Sequence, residues 1–395
     1  MSARVIYVER SFRLFQCFRP GLCIDVSSDG LDNRLTDNWS QMMKTYPAFR
    51  AAACHAAPYY FDTLRTIDKA CALIAEAARN GAELIAFPEA FVSAFPVWSG
   101  VYAPVDVHEF FFRLASSAVH VPGPEVRRIQ ETARRYGVVV SIGINEGTPV
   151  SPACVWDTNL LIGDDGRLLN RHRKLVPTYW EKLTWANGDG SGLRVVETKV
   201  GRVGALVCGE NTNSLARFSL LAQGENVHIS SFSPRWPTHP PGEASYDLEG
   251  AIRLRAGAHS FEGKVFNIVA SGFLPPDAID LIARDNSRAR QLLEESPKSV
   301  SMIFGPDGRV ISETLRDDEG IVYADIDLSK CVVPKQFQDV VGYYNRFDVF
   351  ELNVNRRPLT AAAFFDPRQS GTDADTLYGA YTPDGEPTRV SDEDR

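Results

Sequence analysis

From residue 48 onward the chain alternates short apolar runs with amphipathic stretches, and the two periods can be told apart by eye. "FRAAACHAA" (49–57) reads as a first strand. The stretch that follows places Leu64, Ile67, Cys71, Ile74 and Ala78 on one stripe at helical spacing, with Asp62 as N-cap and Gly81 as the stop. "ELIAF" (83–87) is a short buried strand running into "PEAF". A second helix is predicted from Pro124 to just before Gly137, its inward face being Val126, Ile129, Ala133 and Tyr136, followed by a strand at 138–144.

Two later stretches, 159–175 and 301–315, each pair apolar runs across a "DGR" turn and read as β-hairpins. Further strands are expected at 203–207, 226–230, 265–271 and 321–326, with helices at about 213–223 and 248–262. Strand-helix alternation combined with hairpins implies an α/β protein with mixed sheets and helices outside, and so many strands imply two stacked sheets. Residues 1–47 show no sustained period and read as an N-terminal extension; Met42 and Met43 would fit a native translation start just ahead of the first strand. A catalytic domain is expected over 48–330. Beyond it, 331–395 forms a C-terminal segment whose last ~30 residues look like a flexible tail.

Composition narrows the partners. With 395 residues and 44% hydrophobic content the chain can bury a large core. A net charge of −8 argues against nucleic acid or an anionic membrane as the main partner and leaves small molecules or other proteins. The seven cysteines are odd in number, scattered, and lack zinc-site spacing, which fits a reducing, cytoplasmic setting. No apolar run is long enough for a membrane span, and "NWS" at 38–40 is a short glycosylation pattern of little weight in such a chain.

Four polar side chains stand just beyond apolar strands, where α/β layers gather side chains at one rim: Glu89 in "FPEAF", Lys174 in "RHRKLVP", Glu181 in "PTYWEKL" and Cys208 in "LVCGEN". A thiol needs a proton acceptor to attack an electrophile, and a carboxylate such as Glu89 can serve. A nearby lysine would favour thiolate and stabilise negative charge on the attacked group, and a helix starting just after the cysteine would act in the same sense. Each residue also has a plain structural reading: Cys208 as a core thiol, Glu89 as a helix N-terminal charge, Lys174 as a solvated strand end, Glu181 as a loop surface residue. His172 shares a strand face with Lys174 and is expected to support the sheet rim or an interface. "GDGSG" (188–192) lacks the setting of a phosphate loop and is expected near the mouth of the site.

Three long motifs, "AELIAFPEAF", "RHRKLVPTYWEKLTWANGDGSGL" and "VGRVGALVCGENTNSLARFSLLAQGENVHISSFSPRWP", occur in this order over roughly 48–350. Together they closely resemble the nitrilase branch of the carbon-nitrogen hydrolase superfamily. The resemblance implies a four-layer α-β-β-α sandwich, no metal or organic cofactor, and a Glu-Lys-Cys triad on Glu89, Lys174 and Cys208, with the additional glutamate on Glu181. It implies hydrolysis of a small nitrile to acid and ammonia, with an amidase or a nitrile-hydrating enzyme as the neighbouring alternative and a silent scaffold as a third. Homodimers or longer spiral homo-oligomers are implied too. Where many nitrilases carry tryptophan after the nucleophile this chain has Gly209, so one aromatic wall is expected to be missing. The pocket is expected to be walled by Phe91, Trp98, Tyr179 and Trp236.

Overall fold

The computed structural model describes residues 46–362. The expected N-terminal extension and translation start, the Asn38 pattern and the flexible tail fall outside the described residues.

In chain order the principal elements are β1 (Ala48–His55), α1 (Thr63–Arg79), β2 (Ala82–Ala86), α2 (His108–Ser116), α3 (Pro124–Tyr136), β3 (Val139–Gly147), β4 (Val155–Ile162) and β5 (Leu168–Arg173). There follow β6 (Val196–Thr198), β7 (Gly201–Val207), α4 (Ser214–Leu221), β8 (Val227–Phe232), α5 (Leu248–Gly263), β9 (Phe266–Ser271), α6 (Pro276–Ala283), α7 (Ser287–Glu295), β10 (Met302–Phe304), β11 (Gly320–Asp327) and α8 (Val332–Phe337).

Two mixed sheets result, ordered β11-β1-β2-β3-β4-β5 and β10-β9-β8-β7-β6. Each has a parallel centre, β1-β2-β3 in one and β7-β8-β9 in the other, with antiparallel strands outside. Period-2 alternation decides how they stack. On β1, Phe49, Ala51 and Ala53 join a core with Ala205, Ile229 and Ile268 of the second sheet. The alternate residues Ala52 and Cys54 pack instead with Ile67, Ile74 and Ile129 of α1 and α3. On the far side Leu206 packs on Ala216 and Leu220 of α4. The layers are therefore helix, sheet, sheet, helix, and each fully buried Leu, Ile or Val contributes about 1.5–3 kcal/mol.

The predicted helix caps are found, since the Asp62 side chain accepts from Arg65 N at 3.0 Å and α3 ends at Gly137. Two predicted inward residues are not inward: Leu64 lies in the first turn of α1 and is 61% exposed, and Tyr136 lies at the fraying end of α3 and is 37% exposed. Ile67 and Ile74 are buried as predicted, and Thr66, Ala70 and Ala77 join them, so the buried face extends to one flank of the predicted stripe with smaller side chains. The 159–175 hairpin forms as β4 and β5. The 301–315 stretch gives only the short β10, joined back by single bridges at Val310 and Leu315.

Candidate active site

Strand ends bring the polar residues together. β2 runs out into Pro88 and Glu89, and this turn lies against β3 where a Cβ on Gly143 would stand 2.4 Å from both Ala90 N and Pro88 O. Only glycine permits that approach. β7 delivers Cys208, which sits at φ +51, a left-handed conformation that costs a non-glycine residue of order 1–3 kcal/mol. The turn is held from two sides: Asn211 Nδ2 donates to the carbonyls of Leu206 and Cys208 at 3.2 and 3.1 Å, and Glu210 accepts from Val207 N at 3.0 Å. Lys174 follows directly on the last residue of β5, and the short 3-10 turn Tyr179–Leu183 carries Glu181.

All four predicted residues meet in one buried cluster. Lys174 Nζ donates to Glu89 Oε1 and Glu181 Oε2, both at 2.6 Å. A carboxylate oxygen from each of Glu89 and Glu181 and the Sγ of Cys208 lie within 4.8 Å of one another. The place a cation would take between these carboxylates is held by the Lys174 ammonium. Glu181 is itself fixed by accepting from Thr178 N at 2.6 Å, closing a capping box at the start of its turn.

A fifth member was not expected: Asp157 on β4, whose Oδ2 is 3.5 Å from Lys174 Nζ. The hairpin register pairs Thr158 with Arg173, which sets Asp157 opposite Lys174, and Lys174 N donates to the Asp157 carbonyl at 2.8 Å. Counting back from the "DGR" turn would have found it. An aspartate inside a strand otherwise reads as a surface residue.

Three carboxyls and a thiol around one ammonium cannot all ionise out of water. Burial pushes Glu89 well above the usual carboxylate range, with Lys174 pulling against it and Asp157 adding to it. Burial likewise raises Asp157 to about 6 and Glu181 to about 7. Burial opposes the Lys174 charge, but Glu181, Glu89, Cys208 and Asp157 outweigh it and push its titration up. The Cys208 thiol is pushed up by burial and then by Glu89, more than Lys174 lowers it. This differs from the expectation of a stabilised thiolate. The helix α4 starts only at Ser214, capped by Asn213, with the 3-10 turn Cys208–Thr212 between, so its dipole is not presented directly to the sulfur.

The predicted pocket residues separate. Trp236 stacks on Trp180 with ring centres 4.5 Å apart, and Phe95 sets its edge against Trp180 and Trp185. These aromatics share one core cluster with Cys208, and the Trp185 ring lies 5.6 Å from Lys174 Nζ. Trp98 belongs to the same cluster but is stacked on Phe110. Phe91 packs with Phe87 and the helix-facing core of the first sheet, because the turn after Glu89 directs it away from the cysteine cluster. Tyr179 is 68% exposed and lines, with Trp180, Gly100 and His239, a surface cavity of about 320 Å³. At Gly209 the direction of a side chain is filled by Thr178, whose Oγ1 would lie 2.7 Å from a Cβ, so the missing tryptophan leaves packed threonine rather than open space. Phe95, Trp180 and Trp185 were not anticipated; two of them stand within the lysine motif, whose "TYWEKLTW" carries them at both ends.

His172 does what its strand face suggested: its Nε2 meets Glu210 Oε2 at 2.8 Å, across from the cysteine loop. The "GDGSG" loop packs on the back of the lysine strand, Gly188 N donating to Lys174 O at 2.8 Å, and the C-terminal stretch returns to it, with Leu359 N donating to Asp189 Oδ2 at 2.8 Å.

Two stacked mixed sheets between helices, with a thiol, an ammonium and carboxylates buried at one rim, define the class, an α-β-β-α sandwich with a candidate catalytic site. The comparisons with known proteins specify it. The carbon-nitrogen hydrolase family matches residues 50–335. The aliphatic nitrilase of Rhodococcus rhodochrous is 35% identical over 321 residues, covering 81% of this chain and 86% of that enzyme. An arylacetonitrilase of Aspergillus kawachii is 33% identical over 312 residues, covering 77% and 91%. Among solved structures, a branch 10 nitrilase-superfamily protein of Saccharomyces cerevisiae superposes with a TM-score of 0.56 at 17% identity, over 76% of this chain and 96% of that one. The chain belongs to the carbon-nitrogen hydrolase family, in its nitrilase branch. Among the described residues no helix is long and apolar enough to cross a membrane.

Proposed function

We propose that this chain is a nitrilase, converting a small organic nitrile and two waters to a carboxylic acid and ammonia, with Cys208 as nucleophile, Glu89 as general base, Lys174 as the electrophilic partner and Glu181 as the group that fixes Lys174. The observation that carries the reading is the convergence of these four side chains around the Lys174 ammonium in a chain of this family. The thiol proton passes to Glu89 as sulfur bonds to the nitrile carbon, the π pair moves to nitrogen, and Glu89 hands that proton on to the nitrogen, giving a thioimidate and leaving Glu89 ionised. Water adds to that carbon, Lys174 stabilises the charge on the tetrahedral species, and ammonia leaves. A second water, deprotonated by Glu89, releases the acid from the thioester. A thiol held neutral at rest suits this order, since charge develops on sulfur only as the carboxylate takes the proton.

Assembly into a homo-oligomer belongs to the same reading and is supported by exposed apolar side chains on the outer helices, Leu215 on α4 and Leu254 and Phe261 on α5. A cytoplasmic setting is supported by five free cysteines among the described residues. The test is a panel of aliphatic, aryl and arylaliphatic nitriles assayed for acid, amide and ammonia. Acid and ammonia in equal amounts are expected; amide accumulating without acid would turn the reading to a nitrile hydratase-like reaction, and no turnover of any nitrile would overturn it.

A further inference from the structure

Three buried titratable side chains, Glu225, His228 and His259, take no part in the reaction proposed above, yet they stand directly behind the cysteine turn. Glu225 lies just before β8, His228 on β8 and His259 on α5. Glu225 Oε1 meets His228 Nδ1 and its Oε2 meets His259 Nε2, both at 2.7 Å, with the two rings 4.0 Å apart. A Cβ on Gly204 of the neighbouring strand β7 would overlap Glu225 Oε1, so the glycine there makes room for this carboxylate. Each carboxylate oxygen stands closer to a ring nitrogen than two ligands of one tetrahedral ion bound at ~2.0–2.1 Å would, so these contacts are hydrogen bonds rather than the shell of a metal. The remaining nitrogen, His228 Nε2, is 3.0 Å from Asn211 Oδ1.

The orientation of Asn211 decides where the protons sit. Its Nδ2 donates to the carbonyls of Leu206 and Cys208, and turning the amide over would set its oxygen against both of those oxygens. Oδ1 can only accept, so His228 Nε2 carries a proton. A carboxylate oxygen of Glu225 faces Nδ1, and of the two groups the imidazole is the more basic, so Nδ1 carries a proton as well. We infer that His228 is an imidazolium, held by Glu225, that locks the Asn211 carboxamide and through it the left-handed turn presenting Cys208. His228 is a positioning residue acting through Asn211, and the inference rests on the reading of Cys208 as nucleophile given above. Hydrogen bonds from a cation are stronger than neutral ones, which suits a turn that holds Cys208 at φ +51. His259 stays neutral and donates Nε2–H to the other carboxylate oxygen, because burial, the His228 charge and Arg217 of α4 hold it down to about 4 against the pull of Glu225.

The experiment is solid-state nitrogen NMR of the full chain labelled with 15N-histidine, at neutral pH, the His228 signals being those that change in Glu225→Gln. Both His228 ring nitrogens are expected in the protonated range. In Glu225→Gln the new amide can donate to Nδ1 and accept from His259, so Nδ1 is expected to lose its proton while Nε2 keeps its own. A wild-type His228 with one bare nitrogen would overturn the inference. The positioning role is read in His228→Phe, which keeps a ring but gives Asn211 no donor, while Glu225 retains His259. Hydrogen exchange of the peptide containing Cys208, followed by mass spectrometry, is expected to quicken about tenfold or more, and kcat for ammonia release to fall about tenfold or more with KM within about twofold. Unchanged exchange, or a rise in KM at constant kcat, would overturn it. Asn211→Ala cuts the same chain one link nearer the cysteine and carries the same expectations should His228→Phe not fold. The spectra and the exchange need no nitrile, so a wild-type protein that turns over none would sink the functional reading while these two measurements still decide this one.

Discussion

Glu210, two residues beyond Cys208, holds His172 of the facing sheet at 2.8 Å, with both side chains shielded from water. The same carboxylate accepts from Val207 N just before the cysteine and from Leu175 N just after the lysine, at 3.0 and 2.9 Å. One side chain thereby fixes the strand end that carries the thiol against the strand end that carries the ammonium. Burial opposes the Glu210 charge, but His172 and the two amides outweigh it and hold its titration below the usual range.

Glu210→Ala leaves His172 and two buried amides unpaired, so a loss of about 3–5 kcal/mol is expected in urea unfolding. His172→Phe combined with Glu210→Ala should lose less than the sum of the single changes, because the two amides lose their acceptor only once and no imidazole is then left without its carboxylate. Additive losses would show that the contact does not join the two sheets.

A second buried network predicts the acid response. Glu225 meets His228 Nδ1 and His259 Nε2, each at 2.7 Å, and His228 Nε2 lies 3.0 Å from the Asn211 that supports the cysteine turn. Burial holds His259 down to about 4, and His228 and His259 hold Glu225 at about 2 against its own burial. Both folded-state values lie below the unfolded ones, so each group contributes stability at neutral pH that is lost as pH falls. His259 gives up its share between pH ~6.5 and ~4, roughly 3 kcal/mol for a shift of that size, and Glu225 gives up its share below pH ~4.5. Urea midpoints measured from pH 7 to 4 should therefore fall steadily, and His259→Gln should flatten that slope between pH 6.5 and 4. An unchanged slope in the variant would remove His259 from the account.

Gly209 is held by packing. A Cβ there would meet Thr178 Oγ1 at 2.7 Å and Thr178 Cβ at 3.6 Å. Gly209→Ala is expected to cost about 1–3 kcal/mol, as overpacking does. Adding Thr178→Ala removes the near atoms and should recover most of that loss, read as a positive coupling in a double-mutant cycle. Equal losses with threonine or alanine at 178 would contradict this.

The layers were legible because alternation of period 2 and 3.6 sets which face of each element is apolar, and β1, α3 and the β4-β5 hairpin follow from it. Leu64 and Tyr136 were misread because they stand in terminal turns, where the helix face no longer meets the sheet. Glu89, Lys174, Glu181 and Cys208 were legible from their places after strands together with the motifs around them. Asp157 was not, since its position depends on register across a hairpin rather than on neighbours in the chain. Phe91 was misjudged because side-chain direction in a turn is set by local backbone, and the packing of Thr178 against Gly209 was not legible because it depends on a distant residue that sequence proximity does not report.

The most direct test of the account is ammonia release from a nitrile by the intact protein and by Cys208→Ala, with circular dichroism and sedimentation to show that the variant folds and assembles as the wild type does. The account predicts that the wild type releases ammonia and that Cys208→Ala releases none from any nitrile or amide. Surviving turnover in a folded Cys208→Ala protein would contradict it.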